Sequence, residues 1–162
     1  MKYLNLDTSF TPFGKSINFE SFVFNGGEPH IKILEKLTAE NELTITTRIR
    51  SFNDVGMLLI ATDALRRMEV ENIHLVIPYF PAARQDRLMI KGEPLSVKVY
   101  TEILNAQNLH KITVFDAHSE VTPALLNNCE NVNNHSFIEK ICEQLNDDLL
   151  LIKKLDLKAF RI

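Results

Sequence analysis

The 162-residue sequence has no tryptophan, two cysteines, five glycines and no apolar run of membrane-spanning length. Two cysteines cannot build the disulfide framework of a small secreted domain. Cys129 and Cys142 are also too far apart for a C-x-x-C motif, and free cysteine of this kind behaves as a small buried hydrophobe. The opening Met-Lys-Tyr-Leu-Asn-Leu-Asp is too short an apolar stretch for a signal peptide, and no window approaches the roughly 20 apolar residues a bilayer demands. A soluble cytoplasmic protein with no membrane partner is expected. Positive charge is not in excess: 18 Lys and Arg against 21 Asp and Glu give a net charge of −3. The chain therefore lacks the basic field that nucleic-acid binding needs, and any polyanion site must be local. The scarce glycines form no G-x-x-x-x-G-K-[ST], G-x-G-x-x-G or G-x-S-x-G sequence, which removes the P-loop, dinucleotide-fingerprint and hydrolase-elbow readings.

What is present is an alternation of short β-branched runs with amphipathic stretches. Residues 2–6 and 17–24 read as strands, and Asn25-Gly26-Gly27-Glu28 reads as a tight turn into a third run, His30 to Leu34. Leu43 to Thr47 follows as a strand. Ser51 with Asp54 three residues later resembles a capping box that opens a helix to about Glu69, with Val55, Leu58, Leu59, Leu65 and Met68 on one stripe. Ile73 to Tyr79 returns to strand. Pro94 marks the first turn of a helix with Val99, Tyr100, Ile103 and Leu104 facing inward, and Lys111 to Phe115 is the next strand. Ser136 and Glu139 suggest another capping box, and Leu149 to Ile152 a last strand. Strands separated by single helices predict an α/β fold: a mainly parallel sheet with helices on both faces and a β-hairpin near residues 17–34. At this length and 45% apolar content one domain suffices, burying roughly 70% of its unfolded surface.

Right-handed crossovers place every strand-to-helix loop at one edge of such a sheet, where open α/β folds bind ligands. That edge should collect Arg48, Arg50, Arg84, Arg87, Asp116 and His118. Arg84 follows a Pro-stiffened strand end, and its planar donor fork matches phosphate oxygens; Gln85 adds an amide beside it. The plain alternative is a surface loop in which Asp86 pairs with Arg84 or Arg87. Asp116 and His118 flank one residue, and on an extended backbone they would face one cation or its bound water. Mg²⁺ prefers oxygen whereas imidazole suits transition metals, so the residues alone leave the metal open. Here the alternative is an Asp116 that caps and a His118 that bonds locally. Phe24, beside the glycine pair, reads more readily as core than as a base-stacking platform. His30, His74, His110 and His135 lack ligand spacing.

Three runs, Phe24-Asn25-Gly26-Gly27-Glu28, Pro78 to Arg87 and Phe115-Asp116-Ala117-His118-Ser119, resemble in order and spacing the N-terminal half of ribose-phosphate diphosphokinase, the phosphoribosyl pyrophosphate (PRPP) synthetase family. The resemblance spans about residues 20–152, and its middle run is the most specific. It implies transfer of pyrophosphate from ATP to ribose 5-phosphate with Mg²⁺ assistance, giving AMP and PRPP. It further implies that Phe24 and Glu28 belong to the adenine pocket, that Arg84 and Gln85 contact ATP, and that His118 sits at the Mg²⁺ on the ATP phosphates. The pocket is shared between subunits in this family, so a homo-oligomer is implied. Relatives carry a second similar domain with an acidic ribose 5-phosphate loop, which this sequence lacks. Residues 1–152 are accordingly expected to be the N-terminal domain and 153–162 a divergent tail, with the second domain missing and no PRPP formation by the chain alone. Two other readings stand beside this one: a non-catalytic nucleotide-binding or assembly subunit of a synthetase, and a nucleobase phosphoribosyltransferase, disfavoured because its acidic PRPP loop is also absent.

Overall fold

A computed structural model of the chain describes residues 1–38 and 42–144. Five parallel strands form the main sheet in the order β1-β4-β5-β6-β7: β1 Lys2–Asn5, β4 Leu43–Thr46, β5 Ile73–Ile77, β6 Lys111–Phe115 and β7 Cys129–Val132. The register aligns Leu4, Ile45, Leu75, Ile112 and Cys129 in one row across all five. The neighbouring row, Tyr3, Thr44, His74 and Lys111, points to the other face, as the two-residue period of a strand requires. One face is thus continuously apolar and the other mixed.

Helices α1 (Phe52–Arg67) and α2 (Ser96–Asn105) cover the apolar face, burying Val55, Leu58, Ala61 and Leu65 from the first and Val97 and Leu104 from the second. The capping box of α1 is present: the Ser51 hydroxyl accepts from the Asp54 N–H, and the Asp54 carboxylate accepts from the Ser51 N–H at 2.8 Å. A short helix α3 (Val121–Leu125) packs against α2 and β7. On the mixed face Phe115 meets Phe137 of α4 (His135–Gln144), ring centroids 6.2 Å apart. The hairpin of β2 (Phe19–Val23) and β3 (Pro29–Ile33) is antiparallel and lies on α1, where Gly56 leaves room for Pro29; a Cβ there would sit 3.2 Å from the proline Cγ.

Several local expectations are corrected. Helix α2 begins at Ser96 after an N-cap at Leu95, so Pro94 precedes the cap, and Val99 is exposed because Val97, Thr101 and Leu104 take the inward stripe. Helix α4 begins one residue before Ser136, with the Asn134 carbonyl accepting from the Phe137 and Ile138 N–H groups; Asn134 holds the place expected for Ser136. Helix α3 and strand β7 are absent from the sequence reading. β7 is short and reads Cys-Glu-Asn-Val, with Val132 alone of the β-branched residues that mark β4, β5 and β6. The expected strand Leu149 to Ile152 and the tail from Lys153 lie outside the described residues.

Candidate functional site at the carboxyl edge

Because β4, β5 and β6 run parallel, the loops that follow them share one edge. After β4, Arg48 and Arg50 turn back onto Asp7 in the loop after β1. Arg48 Nε donates to Asp7 Oδ2 at 2.7 Å and its Nη2 to the Ser9 hydroxyl, while Arg50 Nη2 stands 3.4 Å from the same carboxylate oxygen. The Arg48 hydrogen bond holds the Asp7 carboxyl well below the usual carboxylate range, against the opposing effect of burial. The Asp54 carboxylate, which accepts from the Arg50 N–H at 2.9 Å, is the second acid at this corner and offsets the second guanidinium.

The loop after β5 is anchored by Phe80 and Ala83, both buried, and turned by Ala82 at φ 57°, whose carbonyl accepts from the Gln85 N–H at 2.8 Å. That tight turn throws Arg84 and Gln85 outward and Asp86 inward. Asp86 is buried; Arg87 Nε donates to it at 2.8 Å and the Ser119 hydroxyl, from the loop after β6, at 2.7 Å. These two bonds, Arg87 first, hold its carboxyl far below the ordinary range, with the His118 imidazole adding a smaller favourable charge. Asp86 therefore ties the Arg84 loop to the His118 loop. Among the described residues the exposed Arg84 has no hydrogen-bond or ion-pair partner, which leaves its fork available to a ligand.

Asp116 does not face the position expected for it. At φ 45° it ends the extended backbone of β6, its N–H donates to the Val132 carbonyl at 2.8 Å, and its carboxylate accepts from Asn134 Nδ2 at 3.1 Å. The capping alternative for Asp116 does not describe this geometry either, since its carboxylate bonds a side-chain amide 18 residues away and no helix N–H. Among the described residues no group of three or more His, Cys, Asp or Glu could hold a metal ion. Asp86 and Asp116 are both committed to protein partners.

The structure brings Arg84, Gln85 and His118 to one rim and leaves Phe24 and Glu28 on the hairpin tip. The Phe24 N–H donates to the Glu28 carbonyl at 2.8 Å across a turn in which Gly27 adopts φ 94°. Phe24 is half-exposed, its ring centroid 4.8 Å from that of Phe22, and the Glu28 carboxylate curls over Gly26, where a Cβ would lie 2.5 Å from Oε2. Among the described residues no hydrogen bond or ion pair joins this tip to the rim loops. The Asp7-Arg48-Arg50 cluster was missed as a unit, although Asp7-Thr8-Ser9 carries a legible signal: the Ser9 N–H donates to Asp7 Oδ1 at 3.0 Å, an Asx turn.

A mainly parallel sheet with flanking helices, its loops gathered at the carboxyl edge and an exposed arginine on the central turn, defines the class, an open α/β domain. Residues 15–107 match the N-terminal domain of ribose phosphate pyrophosphokinase, a span that includes Phe24, Glu28, Arg84 and Gln85 and stops short of His118. The chain is 36% identical over 98 residues to ribose-phosphate pyrophosphokinase of Helicobacter hepaticus, covering 60% of this chain and 32% of that protein. It is 31% identical over 105 residues to the enzyme of the same name from Mycoplasma pneumoniae, covering 64% and 32%. The fold matches the crystal structure of phosphoribosylpyrophosphate synthetase from Mycobacterium smegmatis with a TM-score of 0.70 at 18% identity, over 80% of this chain and 44% of that one. The chain belongs to the ribose-phosphate pyrophosphokinase family, within its N-terminal domain. It spans about a third of the length of the curated relatives it matches.

Proposed function

We propose that this chain is the ATP-holding part of a PRPP-forming diphosphokinase, with residues 1–152 as one domain and 153–162 as a tail. The observation that supports this best is the Asp86 bridge: by binding Arg87 and Ser119 it fixes the Arg84 turn against the His118 loop. Positioning and charge, not a covalent nucleophile, are what pyrophosphoryl transfer asks of a protein. Arg84 supplies the fork for phosphate oxygens, Gln85 an amide donor or acceptor beside it, and His118 a contact to the Mg²⁺ that the triphosphate brings. That ion neutralises phosphate charge when bound. Phe24 and Glu28, which no hydrogen bond or ion pair joins to the rim loops among the described residues, would serve the adenine of a neighbouring copy in a homo-oligomer. Ribose 5-phosphate would need a partner domain of the kind the longer relatives possess.

Calorimetric titration with ATP and Mg²⁺ tests the reading. Arg84→Ala removes a charge-assisted contact of roughly 1.5–3 kcal/mol, so affinity should fall by about tenfold or more. Unchanged affinity in that variant would sink the proposal. The chain alone is expected to release no AMP in the presence of ribose 5-phosphate, and release strictly dependent on that sugar would show that it is a complete catalyst. A non-catalytic assembly subunit is the second reading, favoured by the exposed Phe22, Val23 and Phe24 of the hairpin.

A further inference from the structure

We propose that the hairpin turn carries a self-modifying site, at which the Asn25 side chain closes on the Gly26 nitrogen to form a cyclic imide that water opens to aspartate and isoaspartate. Among the glycines of the sequence Gly26 alone follows an asparagine. The Gly27 N–H donates to the Phe24 carbonyl at 2.8 Å and the Phe24 N–H to the Glu28 carbonyl at 2.8 Å, which closes a three-residue loop over residues 25–27. Gly27, at φ 94°, takes the left-handed position that such a loop needs, and neither Asn25 nor Gly26 has a positive φ. The backbone therefore makes no demand for glycine at Gly26. The missing side chain leaves its nitrogen open instead. Asn25 and Gly26 are both exposed, and among the described residues neither the Asn25 amide nor the Gly26 N–H makes a hydrogen bond.

Glu28 supplies the base. Its Oε2 and Oε1 stand 2.5 and 2.9 Å from the place a Gly26 Cβ would take, so a carboxylate lies beside the N–H that must lose its proton. The Gly26 nitrogen then bonds to Asn25 Cγ, and the amide group leaves as ammonia with the proton. Water is the sole co-reactant, adding at either imide carbonyl. Opening on one side restores the main chain and leaves an aspartate, a new negative charge beside Glu28 in the same turn. Opening on the other gives isoaspartate, in which the main chain runs through the former side chain and the loop is longer by a methylene group. The two hydrogen bonds that set the loop cannot both survive that insertion, so the Phe22, Phe24 and His30 rings lose their arrangement. An effect on a nucleotide pocket shared between copies rests on the reading given above; the chemistry at Asn25 does not.

The test is incubation of the full chain at mildly alkaline pH, dilute enough that light scattering shows no self-association, followed by peptide mapping with mass spectrometry and by enzymatic methyl transfer to isoaspartate. A first-order conversion of amide to acid confined to the peptide holding Asn25, with isoaspartate in excess, is expected. Gly26→Ala should slow it about tenfold, because a Cβ restricts the backbone and crowds the nitrogen. Glu28→Gln, which keeps the shape and loses the base, should slow it by a smaller factor, and Asn25→Ser should abolish it. All three changes fall on an exposed turn, and circular dichroism of the fresh variants checks that they fold. An Asn25 that stays intact in the folded chain while the urea-unfolded chain reacts would overturn the proposal, since the turn would then protect the pair. So would conversion spread evenly over the other asparagines. An unchanged rate in Glu28→Gln would overturn the part given to the carboxylate. The mapping needs no nucleotide, so its outcome is separate from that of the ATP titration.

Discussion

Asp86 shows how one side chain can organise a rim that it does not itself present to solvent. Its folded pKa is depressed, so the stability it contributes is fully present above the unfolded carboxylate value near 3.9 and is lost as pH falls below that value. Thermal midpoints measured against pH should therefore drop below about pH 4. Asp86→Asn should be less stable than the parent at neutral pH and show a shallower acid decline. Some acid sensitivity will remain in that variant, because Asp7 carries a shift of the same sign from its Arg48 bond. An acid limb identical in parent and variant would show that the Asp86 contacts do not contribute. The identity of Asp86 was legible within its motif; its bond to Ser119, 33 residues away, was not, because no spacing rule reports a contact between two loops that only the sheet brings together.

At the scale of elements, legibility follows how local the determinant is. The α1 capping box is written in Ser51 and Asp54, three residues apart, and it forms. Ser51→Ala should cost about 1 kcal/mol, measurable as a lowered denaturant midpoint with an unchanged slope. An unchanged midpoint would mean that Asp54 alone satisfies the first turn. The start of α2 was misplaced because Pro94 is compatible with a position just before the cap as well as with the first turn, and only the packing of Val97 and Leu104 into the core chooses. Strand β7 had no local signature: Cys129 and Asn131 pair with β6 because the edge of that strand was open and parallel pairing satisfied it.

At the scale of the molecule, the hairpin presents Phe22, Val23 and Phe24 to solvent, and Phe22 and Phe24 form a contiguous aromatic group with His30. Exposed apolar patches of this kind commonly mark association surfaces, and the homo-oligomer proposed above would need one. Light scattering over a concentration series should show self-association that the double change Phe22→Ser with Phe24→Ser abolishes while circular dichroism is preserved. Assemblies indifferent to both changes would place the interface elsewhere.

The sequence by itself determined the α/β class, the order of the hairpin and most strands, the capping box and the three runs that carry the family, because periodicity, caps and short motifs act over a few residues. Only the tertiary structure decided that the loops of Arg84, Gln85 and His118 are tied together through Asp86, that Asp116 turns away, and that Arg50 meets Phe52 and Tyr100 at a cleft. Those facts depend on parallel strands carrying distant loops to one edge, and on buried carboxylates taking the nearest donors that this edge supplies.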